Sequence, residues 1–335
     1  MKAMPEKSAM SRGPAELRAH LTSPRTRAAL AIQAVALAAA REHLSGRGFT
    51  EMLAPLIGPV TDPGARGAKQ LDVNYYGHRY KLMTSVILYK QAALLTFDRV
   101  FYIAPNIRLE PLETAATDRH LTEFHQLDVE AADASCEEIM DLAEDLVSHV
   151  VRRVLATCGG LLDRVGRDLA PLNRAMSSPF GRLDHEAVVK RLHALGHQQN
   201  PDTEIEWEGE VLLSGEHEQP FFITGYPKGS RGFYDRESPD RPGTLENFDL
   251  LLPEGYGELS SGSRRENDYQ RIIARIRETG ENPAKYGWYL DLLREGVPGS
   301  AGFGIGVERL SRYLAGLAAI WQAVAFPKLP GVKAP

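Results

Sequence analysis

The sequence predicts an α+β fold, in which a mainly antiparallel sheet is flanked by helices. Short apolar runs typical of strands are spread along the whole chain, and uneven loops separate them without strict β–α–β alternation. Other segments show the 3.6-residue apolar period of helices. The 335 residues are 43% apolar and 25% charged, as in ordinary globular proteins. This composition excludes disorder, collagen and a disulfide scaffold for the chain as a whole.

The N-terminal part is predicted to contain a tail and then a helix. Residues 1–22 have little apolar periodicity, so we expect a flexible tail there. Thr22 or Ser23 can cap a helix that has Pro24 in its first turn and ends at Gly46. The segments predicted next are a short apolar run (49–59), a hairpin (71–76 and 80–83) and a helix (85–95).

The clearest helix spans residues 136–158, because Ile139, Leu142 and Leu146 begin a long 3.6-residue repeat. Gly159 and Gly160 are expected to end it. The remaining predicted elements are strands at 100–104, 124–130, 221–224 and 248–252, a short helix at 184–195, a helix at 268–278, and a glycine-rich run at 302–306 followed by a helix at 307–315. Residues 160–205 are less regular and are predicted to be an insertion.

Several classes of function have little support. The formal net charge of −5 gives no chain-wide basic surface for nucleic acid. The two cysteines form no CxxC pair, which fits a reducing compartment and no zinc site. The longest mostly apolar run has 13 residues, too few to span a bilayer, so we predict a cytoplasmic protein without a membrane partner. The phosphate-loop, GxGxxG, HExxH and GxSxG motifs do not occur.

One polar segment has the composition of a nucleotide site. Arg108 stands at the end of a predicted strand, a basic loop with Arg119 follows, and Phe124 comes after it. A guanidinium can neutralise a phosphate, and an aromatic ring can stack on a base. Composition alone favours the plainer alternative, a hairpin with a solvated loop.

Three further segments are candidates for binding. Asp249 and Glu258 could share a hard cation, and phosphates would then complete its coordination shell. Alternatively, both are surface carboxylates. Alternate glycines at 302–306 leave a strand face on which a flat ligand can lie. Arg309 follows in the first turn of the next helix, where a cation is unfavourable to the helix dipole, so a purely structural role for Arg309 is less attractive. Lys90 is the only charge in its segment; it could extend to solvent or pair with an anionic substrate.

In order and spacing, these segments resemble the catalytic core of the class II aminoacyl-tRNA synthetases, in the aspartate/asparagine branch. Residues 49–57, with Pro55, resemble motif 1, which forms the dimer interface of the family. Residues 108–130 resemble motif 2, and residues 302–310 resemble motif 3. The resemblance covers about residues 26–330, so residues 23–335 are expected to form a single catalytic domain and a homodimer.

The resemblance also implies a role for each matching residue. Arg108 and Arg309 would hold the α- and γ-phosphates of ATP, and Glu110 and Phe124 would hold adenine. Arg119 and His120 would face the leaving pyrophosphate. Asp249 and Glu258 would carry Mg²⁺. The amino-acid pocket would contain Ser85, Lys90, Gln126, Asp128 and Arg265.

Lys90 and Arg265 match the two cations that hold the side-chain carboxylate in aspartyl enzymes, so the resemblance implies aspartate as substrate. Only a tail and one helix precede the motif 1 segment, which leaves no room for the anticodon-binding barrel of this branch. The layout therefore resembles the archaeal-type asparagine synthetase, a paralogue reduced to the catalytic core. Two departures, Ile87 and Ser300, fit a remodelled pocket.

From this resemblance we expect an AMP-forming asparagine synthetase. ATP and aspartate would give an aspartyl adenylate, which ammonia would amidate, with Asp62 as candidate base. tRNA is expected to be an unlikely partner. The alternatives are a ligase that passes the aspartyl group to another amine, a carrier or tRNA, and a non-catalytic sensor. Intact Arg108, Arg309, Asp249 and Glu258 count against the sensor.

Overall fold

The computed structural model describes residues 14–63 and 68–333. In these ranges the chain has the predicted α+β fold. The strands are β1 (Thr50–Glu51), β2 (Ile57–Gly58), β3 (Asp72–Tyr75), β4 (His78–Leu82), β5 (Arg99–Ile107), β6 (Glu123–Ala132), β7 (Gly181–Asp184), β8 (Phe221–Thr224), β9 (Asn247–Leu252), β10 (Gly257–Arg264) and β11 (Ser300–Gly306). The helices are α1 (Pro14–Thr22), α2 (Pro24–Gly46), α3 (Ile87–Ala92), α4 (Cys136–Thr157), α5 (Gly159–Val165), α6 (Leu169–Ala175), α7 (His185–Ala194), α8 (Trp207–Glu216), α9 (Tyr269–Glu278), α10 (Gly287–Glu295) and α11 (Val307–Leu314).

The central sheet has eight strands in the order β1-β5-β6-β11-β10-β9-β8-β7. Its inner neighbours are antiparallel, as predicted, whereas the outermost pairs β1–β5 and β7–β8 are parallel. A separate three-stranded sheet has the order β2-β4-β3 and contains the predicted hairpin. Strands β6, β11 and β10, which are far apart in sequence, therefore lie side by side in the centre of the large sheet.

Helices α2 and α4 pack against each other and belong to the main core under the central sheet. Alanines dominate the buried side of α2, among them Ala28, Ala36 and Ala40, and their small side chains allow close helix contact. The Ser23 hydroxyl caps α2 by accepting from the Arg25 amide. At the start of α4 a capping box satisfies two backbone donors. None of the helices in the described ranges is long and apolar enough to cross a membrane.

Two parts of the chain differ from expectation. Residues 14–22 form helix α1 where a flexible tail was predicted; residues 1–13 lie outside the described ranges. His20 explains the difference, because its Nε2 lies 2.8 Å from the Val324 carbonyl oxygen and its ring lies 5.6 Å from that of Trp321. Sequence periodicity could not show this contact with the other end of the chain.

The segment after α4 is also more ordered than predicted. Helix α4 ends at Thr157, next to the predicted stop, and after a turn at Cys158 the residues Gly159 and Gly160 open a further helix, α5. Within the predicted insertion 160–205, β7 pairs with β8 and extends the central sheet. Helix α8 then returns to β10, where Glu210 accepts from the Glu258 amide. Helix α8, which follows the insertion, is therefore tied to the strand that carries a predicted site residue.

Candidate active site

One cavity of about 480 Å³ opens over β6, β10 and β11. Every site residue predicted from the sequence lines it, except Asp249. These residues are Asp62, Ser85, Lys90, Arg108, Glu110, Arg119, His120, Phe124, Gln126, Asp128, Glu258, Arg265 and Arg309. The sequence therefore located the cavity, although the residues come from segments more than 200 positions apart.

The alternate glycines of β11 have a structural reason. Gly302, Gly304 and Gly306 pair with Glu130, Asp128 and Gln126 of β6. A Cβ at position 304 would lie 3.0 Å from Gln126 Nε2 and 3.1 Å from Asp128 Oδ1. A Cβ at position 302 would overlap the Glu130 carboxylate. Gly302 and Gly304 therefore leave the space into which polar side chains of β6 extend, whereas a Cβ at Gly306 would meet the Arg309 side chain at 3.3 Å.

Lys90 is buried beneath the cavity and is 1% exposed. Its Nζ donates to Asp128 Oδ1 at 3.0 Å, to the Phe303 carbonyl at 3.0 Å and to the Val129 carbonyl at 3.3 Å. These three bonds use all three donors of an ammonium group. Asp128 Oδ2 is buried and has no hydrogen-bond partner among the described residues. Lys90 thus orients Asp128, and the second carboxylate oxygen remains available to a ligand donor.

Arg265 is held in the same region by a bidentate ion pair. Its Nε and Nη2 donate to the two Glu130 oxygens at 3.0 and 3.1 Å, and Ser300 donates its hydroxyl to Glu130 Oε1 at 2.8 Å. Nη1 of Arg265 donates to the Ser263 hydroxyl at 2.6 Å and to Asp235 Oδ1 at 3.4 Å. Ser300, one of the two departures noted in the sequence, therefore supports this ion pair.

Arg108 lies near Phe124 at another part of the cavity. Its guanidinium carbon is 5.1 Å from the centre of the Phe124 ring, and its Nε donates to the Thr84 carbonyl at 3.0 Å. Within the described residues the two terminal nitrogens of Arg108 make no hydrogen bond or ion pair. This half-buried group therefore presents a fork of donors, as the recognition of a phosphate or carboxylate requires.

Arg309 and Arg119 approach Glu258 from different elements. Nη1 of Arg309, in the first turn of α11, lies 3.1 Å from Glu258 Oε1. Nη2 of Arg119 lies 3.7 Å from Glu258 Oε2, and its Nη1 lies 2.5 Å from Glu210 Oε2. Burial would lower the pKa of Arg119, but Glu210 and Glu258 outweigh burial and raise it. Arg119 is thus a permanent buried cation beside the cavity.

Asp249 lies behind the cavity wall, 2% exposed. Ser261 donates to its Oδ1 at 2.6 Å, and Arg231 donates to its Oδ2 at 2.5 Å. Arg231 also lies 3.0 Å from Glu204 and 4.3 Å from the Tyr226 ring centre. Sequence reasoning missed Arg231 and Glu210; both are single charges without a motif, and they meet their partners only in the folded chain.

Asp249 and Glu258 offer only part of a metal shell. In the described ranges no group of three or more histidine, cysteine, aspartate or glutamate side chains could hold a metal ion. Two carboxylates on the neighbouring strands β9 and β10 still suit Mg²⁺, which keeps several waters and takes phosphate oxygens as ligands. The ligand chemistry therefore fits a Mg²⁺ ion that arrives with a nucleotide, provided that Asp249 and Glu258 exchange their arginine partners for the metal.

The other predicted residues form local hydrogen bonds. Ser85 accepts from the Ile87 amide at 3.2 Å, Gln126 Oε1 accepts from Asn106 at 2.8 Å, and His120 Nδ1 lies 2.5 Å from the Thr117 hydroxyl. Asp62 accepts from the Tyr234 hydroxyl at 3.0 Å. Burial, and then the Asp62 charge, raise the pKa of Tyr234 far above its ordinary value. Tyr234 is therefore a fixed donor to the loop that carries Asp62.

Comparison with known proteins identifies the family. Residues 16–330 match the family model of class II tRNA synthetases (D, K and N). The chain belongs to this family. The asparagine–tRNA ligase of Thermococcus gammatolerans is 36% identical over 317 residues, covering 93% of this chain and 71% of the relative. The corresponding ligase of Herpetosiphon aurantiacus is 35% identical, covering 91% and 70%.

Solved structures agree with the sequence comparison. Asparaginyl-tRNA synthetase from Pyrococcus horikoshii, complexed with asparaginyl-adenylate, superimposes with a TM-score of 0.90 at 34% identity. The match covers 97% of this chain and 74% of that one. The class II resemblance and the aspartate/asparagine branch are thus confirmed.

Two expectations from the sequence are wrong. The relatives are asparagine–tRNA ligases, so the family evidence contradicts an ammonia-dependent asparagine synthetase. It also contradicts the expectation that tRNA is an unlikely partner. Both errors came from features that do not decide the acceptor: the net charge of −5 describes the whole surface, and the pair Lys90 and Arg265 is engaged by carboxylates of the chain itself.

Proposed function

We propose that the protein is an ATP-dependent ligase that activates asparagine through its α-carboxylate and transfers the asparaginyl group to a tRNA. The observation that carries the proposal is that one cavity contains both a cation and a carboxylate with unused hydrogen-bonding capacity. Arg108 presents unengaged guanidinium donors, and Asp128 presents an unpartnered carboxylate oxygen. Together they complement the carboxylate and the ammonium of a free α-amino acid.

Activation would proceed by attack of the substrate carboxylate on the α-phosphorus of ATP, with pyrophosphate as leaving group. Arg108 would hold the α-phosphate and the reacting carboxylate together, while Asp128 binds the ammonium group. Arg309, in the first turn of α11, would hold the γ-phosphate. These cations are fixed before the reaction, so they can stabilise the charge that develops on the phosphates.

Arg119 and His120 would face the pyrophosphate, and Glu110 and Phe124 would bind the adenine. Asp249 and Glu258 would hold Mg²⁺, which would offset phosphate charge and orient the leaving group when bound. Transfer would follow by attack of a tRNA 3′-terminal hydroxyl on the adenylate carbonyl, which releases AMP. Asp62, hydrogen-bonded to Tyr234, would help to close the cavity against water.

We also propose that two copies associate through the segment around Pro55. Leu53 is 96% exposed and Leu56 is 59% exposed in the single chain. Large apolar side chains in this state are typical of an interface.

ATP–pyrophosphate exchange tests the activation step. We expect exchange that depends on asparagine and on Mg²⁺. The proposal is overturned if asparagine does not support exchange above the rate seen without amino acid. The Arg108→Ala variant serves as the matched control, because its loss of exchange excludes a contaminating synthetase.

A further inference from the structure

Asp235 is a buried carboxylate that the sequence did not single out and that the proposed mechanism leaves unused. It lines the cavity and is 6% exposed. Its Oδ1 accepts from the Ser263 hydroxyl and, at 3.4 Å, from Arg265 Nη1. Within the described residues its Oδ2 accepts no hydrogen bond. Burial raises the pKa of Asp235, and Arg265 and Ser263 counteract part of that effect.

The contacts of Asp235 join it to a set of residues that are linked by ion pairs. Arg265 bridges Asp235 to Glu130, and Lys90 lies 3.0 Å from Asp128 and 3.5 Å from Glu130. The set contains three carboxylates and two cations, so its formal charge is −3 + 2 = −1. All these side chains are at most 8% exposed, so water screens the imbalance poorly.

An α-amino acid with a neutral side chain balances this set. Its ammonium group at Asp128 adds one positive charge and brings the total to zero, while its α-carboxylate pairs with Arg108 outside the set. A second carboxylate on the substrate would return the set to −1, and a second ammonium group would take it to +1. Burial of an uncompensated charge is strongly unfavourable, so substrates with either kind of charged side chain are disfavoured.

We propose that Asp235 determines the side-chain specificity of the amino-acid pocket, so that it accepts a neutral carboxamide and refuses a carboxylate. This inference rests on the proposed function. Asp235 lines the cavity, so its Oδ2 would accept from the N–H groups of a carboxamide, whereas a carboxylate would bring two acceptors together without a proton between them. The same reasoning disfavours 2,3-diaminopropionate, whose second ammonium group would overcompensate the set.

Asp235→Asn tests the inference, because it keeps the shape of the side chain and removes one negative charge. In the wild-type protein we expect asparagine to bind more tightly than aspartate by a factor on the order of 10². In Asp235→Asn, one negative charge is lost, and the side-chain carboxylate of aspartate restores the balance of charge in the pocket. Aspartate should therefore bind more tightly, and the ratio of asparagine affinity to aspartate affinity should fall at least about tenfold. Binding of 2,3-diaminopropionate should weaken further in the variant.

The readouts are calorimetric dissociation constants for the three amino acids and kcat/KM in ATP–pyrophosphate exchange. Asp240→Asn is the matched control, since Asp240 is exposed and lies in the same segment; it should leave the ratio unchanged. If Asp235→Asn does not fold, Ser263→Ala replaces it, because loss of the hydroxyl that holds Asp235 Oδ1 should also lower the ratio.

The possible outcomes separate the two proposals. If asparagine supports exchange but Asp235→Asn leaves the asparagine-to-aspartate ratio within twofold of wild type, the role of Asp235 is overturned and the proposed function stands. If the wild type binds asparagine selectively and the variant loses that selectivity, but no exchange occurs, the role of Asp235 is supported and the proposed function fails. If neither amino acid binds, both proposals are overturned.

Discussion

The carboxylate of Glu130 occupies the space that a side chain at Gly302 would need. The two residues are paired across β6 and β11, and a Cβ at position 302 would overlap both Glu130 and the Val129 carbonyl oxygen. Glu130 in turn holds Arg265 by two hydrogen bonds. The glycine is therefore required for the ion pair at the base of the proposed amino-acid pocket.

Gly302→Ala should therefore lower the free energy of unfolding by about 1–3 kcal/mol, because backbone atoms and a buried ion pair must shift. Binding of the amino acid should weaken as well. Gly299→Ala is the control, since a Cβ there would meet its nearest neighbour at 3.8 Å. Urea denaturation of both variants measures the effect; equal stability of the two would contradict the packing argument.

Arg108→Ala should reduce the rate of ATP–pyrophosphate exchange by roughly 10²–10³, the loss seen when one donor to a developing charge is removed. Arg108→Lys should recover only part of the rate, because an ammonium group lacks the planar fork. Arg164→Ala, at an exposed position of α5, should behave as wild type. An exchange rate for Arg108→Ala within about threefold of wild type would count against the assigned role.

Glu210→Ala should destabilise the fold by about 3–5 kcal/mol, because it leaves the Arg119 cation buried without its main partner. Glu208→Ala on the exposed side of the same helix should change little. Replacing both charges, in Arg119→Met with Glu210→Met, should restore much of the lost stability. The midpoints of thermal unfolding of the three variants test this prediction. A double variant less stable than Glu210→Ala would contradict the assigned ion pair between Arg119 and Glu210.

His125 should make stability depend on pH. Its hydrogen bond to Glu308, at 3.0 Å, raises the pKa of the imidazole, and burial opposes this effect. A raised pKa means that the folded state holds the proton more tightly than the unfolded state. The stabilisation is therefore present below the ordinary histidine pKa and is lost as pH rises through the folded value. His125→Gln should be more destabilising at pH 5.5 than at pH 8.5, as measured by urea denaturation; the opposite trend would exclude this ion pair.

Leu53→Asp should convert a dimer into monomers, because it places a charge in the apolar segment around Pro55. Light scattering after size-exclusion chromatography gives the mass directly. Leu112→Asp, at another exposed leucine that is 69% exposed, should not change the mass. A wild-type protein that is monomeric at micromolar concentration would contradict the association.

Much of the fold could be predicted from local patterns, and most residues that line the cavity could be named from the resemblance to the synthetase family. A strong 3.6-residue repeat predicts the helix 136–158, and a short apolar run predicts the strand 221–224. In the structure the bounds of both elements agree with these predictions to within a residue. Arg231, Glu210 and Asp235 could not be found in this way, because their contacts join positions 18 to 91 residues apart. The acceptor was misjudged for a related reason: residues that bind ATP do not reveal which nucleophile attacks the adenylate.

The most direct test of the account is a product assay with tRNA. Purified protein, ATP and Mg²⁺ would be incubated with asparagine and tRNA, and in parallel with aspartate, ammonium and the same tRNA. The proposed function predicts an asparaginyl ester on the tRNA 3′ end in the first reaction, together with an equal amount of AMP, and no free asparagine in the second. Free asparagine formed from aspartate and ammonium, with no aminoacylated tRNA in either reaction, would contradict it.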